Sequence, residues 1–83
     1  MNNNNAQFIS RLRWHCRRGM RELDLLLTRY LNEHYPEASA EEQLAFQELL
    51  ELPDPELFSY VIGKETIPNH YWVQILNKAR LPS

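Results

Sequence analysis

The sequence predicts an all-α fold, a small single domain built as a bundle of five short helices. Three observations carry that prediction: apolar residues recur at helical spacing in five segments, no segment alternates with period two, and the Asn-Gly and Asp-Gly turns of β-hairpins do not occur. At 83 residues the chain is too short for two independent cores, since units below about 40 residues rarely fold unaided. A composition 43% hydrophobic and 24% charged, with two glycines, suits a globule rather than a disordered or low-complexity chain. Residues 1–5, with the Asn2 to Asn5 run, are expected to be a frayed end, and residues 6–83 the five-helix domain.

Between Gln7 and Arg18, Ile9, Leu12 and Cys16 mark the apolar stripe of a first helix, while Arg11, Trp14 and Arg18 run down another stripe. Gly19 stands where a helix ends in the left-handed conformation, with Arg17 and Arg18 just before it complementing the negative end of the dipole. A second helix begins immediately, with Glu22 and Asp24 in its first turn and Leu23, Leu26, Leu27, Tyr30 and Leu31 as its inner face. Tyr35-Pro36 closes it, because a residue before proline avoids helical angles, and His34 caps its C-terminal end. Ser39-Ala40-Glu41-Glu42 reads as a capping box opening a third helix, whose inner side is Leu44, Ala45, Leu49 and Leu52 and which Pro53 ends. Asp54-Pro55 repeats a start signal, an N-cap acid and a proline at the first helical position, ahead of Leu57, Phe58, Val61 and Ile62; Gly63 stops this fourth helix. After Pro68, Tyr71, Trp72, Ile75, Leu76 and Ala79 mark the fifth. Leu26, Leu49 and Trp72 are core candidates whose truncation to alanine costs about 2–5 kcal/mol.

Charge is unevenly distributed. Nine Lys+Arg and eleven Asp+Glu leave a formal charge of −2, yet six arginines and three acids fall in residues 1–34, so the front is basic and the rest acidic. The front is all arginine: Arg11, Arg13, Arg17, Arg18 and Arg21 crowd together, and the guanidinium fork suits bidentate contacts to carboxylate or phosphate. No apolar run approaches the roughly 20 residues of a membrane span, and the start lacks the regions of a signal peptide, so the expected compartment is the cytoplasm, without membrane insertion. A lone cysteine excludes an internal disulfide.

Catalytic chemistry finds little support. Cys16 sits on the apolar stripe and its neighbour His15 points elsewhere on the helix, so no nucleophile–base dyad forms; a hydrolase using Cys16 is the weakest reading. His15, His34 and His70 do not have zinc-ligand spacing, and two distant glycines cannot form a phosphate-cradling loop. The acidic C-terminal part would repel a polyanion, so no nucleic-acid partner is expected, although Trp14 among the arginines keeps that reading as the alternative, alongside an antitoxin-type regulatory protein.

The run Arg17-Arg18-Gly19-Met20-Arg21-Glu22-Leu23-Asp24 gathers both charge signs around a bare glycine. Each residue has a capping explanation, yet together they form a corner that can dock. Gly19 lets a partner's main chain come close, Met20 adds an adaptable apolar contact, Arg18 grips a carboxylate or carbonyl, Glu22 accepts from a partner donor, and Arg11 extends the patch. Here the chain resembles the SdhE family of flavinylation factors, also called the succinate dehydrogenase assembly factor 2 family. The family's Arg-Gly-x-x-Glu signature matches Arg18, Gly19 and Glu22, and Trp14-His15-Cys16 before it is similar to bacterial members. Leu49-Leu50-Glu51-Leu52-Pro53-Asp54-Pro55-Glu56-Leu57-Phe58 is similar to a second family block, while Tyr60 departs from a common tryptophan and Gly63 to Asn69 is a variable loop.

The resemblance implies a five-helix assembly factor, not an enzyme, that promotes covalent FAD attachment to the flavoprotein subunit of succinate dehydrogenase and fumarate reductase. It implies that FAD becomes bonded to the partner's own histidine and is not held stably by this chain, which is expected to be monomeric. The expected partner-binding residues are Arg11, Arg18, Gly19, Met20, Glu22 and Asp24. The lack of an Arg-rich presequence favours a bacterial member.

Overall fold

A computed structural model of the chain describes residues 6–80. The expected frayed start, residues 1–5, lies outside the described residues. Five α-helices follow one another: α1 (Ala6–His15), α2 (Arg21–Glu33), α3 (Ala40–Leu49), α4 (Asp54–Val61) and α5 (His70–Arg80), with a 3₁₀ turn at Tyr35–Glu37 between α2 and α3. No strand occurs among the described residues, in agreement with the sequence pattern.

The core draws on every helix. Leu23, Leu27, Tyr30 and Leu31 of α2 are buried, as the spacing predicts, against Phe46 and Leu49 of α3, Leu57 of α4, and Ile75 and Leu76 of α5. Leu26 and Trp72 pack on its margin, half-buried, and the Trp72 indole N–H donates to the Ala45 carbonyl at 2.9 Å. Tyr35 is fully buried as well. Its ring centroid lies 5.5 Å from that of Phe46, which in turn lies 4.7 Å from Tyr30. The 3₁₀ turn is therefore a core element, held by Gln43, whose side-chain amide donates to the Tyr35 carbonyl at 2.7 Å.

Three helices differ from expectation, each for a local reason. α1 stops at His15 rather than near Arg18, because the chain leaves the helix to place Arg18 beneath the third and fourth helices. In α3 the buried stripe is Glu42, Ala45, Phe46 and Leu49, so Leu44, expected inside, faces outward and is 56% exposed. The polar Glu42 masked that stripe in the sequence. The Ser39 hydroxyl does accept the Glu42 N–H at 3.1 Å, but the reciprocal half of the capping box is not made. The Glu42 carboxylate turns into the core instead, where it accepts from the Tyr30 hydroxyl and from Lys78 Nζ at 3.1 Å to both oxygens. At α4, Pro53 occupies the cap position and Asp54 the first turn, since the Asp54 carboxylate serves Arg18 rather than the helix end. Asn69 opens α5, its side-chain oxygen accepting the Tyr71 N–H at 2.8 Å.

Candidate functional site

The elbow between α1 and α2 is built by side chains reaching across the chain. Cys16 still bonds back to Leu12, and beyond it the backbone turns away from the helix. The Arg18 N–H donates to Asp24 Oδ1 at 2.6 Å, tying the loop to the first turn of α2. Its guanidinium reaches the α3–α4 connection: Nη1 donates to the Leu52 carbonyl at 2.8 Å and pairs with Asp54 Oδ1 at 3.0 Å, while Nη2 donates to the Leu50 carbonyl. With 13% of its side chain exposed, Arg18 is a strut, not a hand held out to solvent. The fork that was expected to reach a partner is engaged here by three acceptors of the fold. Asp24 is likewise committed to the loop, so its carboxylate orders the elbow from within.

What the strut supports is exposed. Gly19 has φ +79, a conformation side chains rarely adopt, and nothing lies within 4 Å of where its Cβ would be. Met20, in the extended cap position before α2, packs half-buried on the core, so its side chain belongs to the elbow's underside more than to its surface. Glu22 and Arg21 open α2 on its solvent side, and their side chains have no hydrogen-bond or ionic partner among the described residues. Gly19, Arg21, Asp24, Leu25 and Thr28 together line a shallow depression. Arg11, expected to extend the same patch, lines a different depression, between α1 and α3, with Phe8, His15, Gln47 and Glu51. Trp14 is 73% exposed, with the Arg17 guanidinium 5.8 Å from its ring centroid.

Cys16 and His15 part company at the helix end. Cys16 is fully buried while His15 is exposed, and burial pushes the thiol up to about 11, with Arg13 and Arg18 pulling weakly the other way. A protonated, buried thiol is a packing residue at neutral pH.

The family model for the flavinator of succinate dehydrogenase matches residues 10–80, which include the elbow and the α3–α4 block that anchors it. The chain belongs to the SdhE family. The FAD assembly factor SdhE of Shewanella oneidensis is 46% identical over 61 residues, 74% of each chain. That of Coxiella burnetii is 38% identical over 68 residues, 82% of this chain and 83% of its own, and that of Pseudomonas aeruginosa 48% over 56 residues, 68% and 67%. No solved structure matches. The two sequence blocks that resemble SdhE proteins meet in space, because Arg18 of the first bonds to Leu50, Leu52 and Asp54 of the second. Sequence reasoning placed both blocks but not this contact. It also passed over Leu25, 57% exposed, although the residue's absence from the inner stripe of α2 was a readable signal.

Proposed function

We propose that this protein promotes covalent attachment of FAD to the flavoprotein subunit of succinate dehydrogenase, and of fumarate reductase, by binding that subunit through the α1–α2 elbow. The observation that carries the reading is the Gly19 corner: open above, braced below by Arg18 and Asp24, and flanked by the unpartnered Glu22. A braced corner presents its bare backbone at little ordering cost on binding. Membership in a family of FAD assembly factors supports the client and the reaction.

In this reading the protein supplies binding rather than a reacting group. It works as a monomer, holds no cofactor of its own, and leaves the bond to the client's histidine and FAD. A hundredfold preference for the client conformer in which flavin and histidine are aligned shifts its equilibrium by about 2.7 kcal/mol. Such alignment is where much of the barrier to an intramolecular reaction lies. Glu22→Ala tests the proposal: the variant should melt close to the parent, since the Glu22 side chain bonds to nothing among the described residues, yet support far less covalent flavin on the client, read by in-gel flavin fluorescence. Normal flavinylation by that variant would refute the reading.

A further inference from the structure

We propose that the depression lined by Gly19, Arg21, Asp24, Leu25 and Thr28 seats an apolar side chain of the flavoprotein subunit that has a carboxylate beside it; this rests on the reading above and gives it a chemical specificity. Leu25 is the first reason. The buried stripe of α2 runs through Leu23, Leu27, Tyr30 and Leu31, which leaves Leu25 on the opposite side, 57% exposed and without a role in the core. Gly19 is the second. With no side chain of its own and nothing within 4 Å of its Cβ direction, it leaves one wall of the depression low, so a partner's chain can lie against backbone while its side chain covers Leu25.

Charge fixes what stands next to that apolar group. Asp24 lines the depression and keeps its negative charge, but its Oδ1 is turned to the loop, where it accepts the Arg18 N–H. Arg21 is exposed and its side chain has no partner among the described residues, which leaves its guanidinium as the cation at the rim. A carboxylate on the partner complements it, and its guanidinium fork allows a bidentate contact. Glu22, one position on, is then left for a donor on the same partner segment. The site is continuous with the Gly19 corner and extends the contact along α2 toward Thr28, beyond the Arg-Gly-x-x-Glu signature.

The test measures calorimetric affinity for the purified flavoprotein subunit, with thermal melts and light scattering on every variant. Leu25→Asp should melt within a few degrees of the parent and bind at least about tenfold more weakly, as loss of an interface anchor does. Arg21→Glu should weaken binding by a similar factor and Arg21→Lys much less. Leu44→Asp, which alters an equally exposed leucine on α3, should bind like the parent. Leu25→Asp binding within twofold of the parent overturns the inference, and if Glu22→Ala has lost binding in the same series, the elbow reading survives without it. Equal weakening by Leu25→Asp and Leu44→Asp also overturns it. So does a parent dimer that Leu25→Asp splits without changing affinity for the subunit, since the occupant would then be a second copy of the chain. A parent protein that does not bind the subunit at all overturns both readings.

Discussion

Gly19 and Gly63 share nearly the same backbone, φ +79 and +77, and at both a Cβ would project into open space. Their surroundings differ. Gly63 finishes α4: the Lys64 N–H returns to the Ser59 carbonyl at 2.9 Å and the Gly63 N–H to Tyr60 at 3.3 Å, the paired bonds by which a helix end satisfies its own carbonyls. Gly19 stands past the end of α1, and its conformation is fixed by Arg18 and Asp24 rather than by the helix before it. A left-handed glycine is thus local grammar at one corner. At the other it is set by its neighbours Arg18 and Asp24, and Arg18 is in turn held by Leu50, Leu52 and Asp54, which are distant in sequence.

The largest effect that would break this contrast is expected from Arg18→Ala. It strips donors from the Leu50 and Leu52 carbonyls and leaves Asp54 without its partner, and we expect a loss of about 3 kcal/mol in urea unfolding together with loss of flavinylation. A variant as stable as the parent would mean that the strut is ornamental. Alkali probes the same corner through Cys16. Its folded pKa is raised from 9.0 to about 11, so the folded state holds the proton more tightly than the unfolded chain. The stabilisation is complete below pH 9 and declines as pH rises toward 11, by about 1.4 kcal/mol per unit. Because the buried Tyr30 and Tyr35 are also raised above 10.0, the slope due to the thiol is read between pH 9 and 10, where Cys16→Ala should flatten it.

Smaller still, and the sharpest comparison, is the pair Gly19→Ala and Gly63→Ala. Each should cost about 1 kcal/mol, since the strain is the same and neither Cβ clashes. Only Gly19→Ala should reduce covalent flavin on the client beyond what its stability loss explains. Equal effects of the two on flavinylation would erase the distinction between the corners.

The helical architecture was legible in the sequence because Leu23, Leu27, Tyr30 and Leu31, or Ile75, Leu76 and Ala79, keep a period that only a helix satisfies. So was the left-handed conformation of Gly19. The tertiary use of polar residues was not legible. Glu42 reads as a cap because Ser39 precedes it by three positions, yet its carboxylate meets Tyr30 and Lys78 from two other helices. Arg18 likewise reads as a surface arginine in a basic run, and only its proximity to the α3–α4 connection makes it a strut. Local pattern specifies where a polar side chain starts, whereas partners more than thirty positions away decide where it ends. At the elbow, Gly19 and Glu22 are open as expected, Arg18 and Asp24 turn inward, and Arg11 belongs to a neighbouring depression.

The two tryptophans give the molecule a pair of optical reporters with separate duties. Trp72, hydrogen-bonded to Ala45 and 6.2 Å from the Tyr60 ring, emits from the margin of the core and follows unfolding. Trp14, 73% exposed on α1, lies open to collisional quenchers in the free protein. Phe substitutions at each site separate the signals, so that docking and melting can be watched in one cuvette at two emission wavelengths, without attaching a dye.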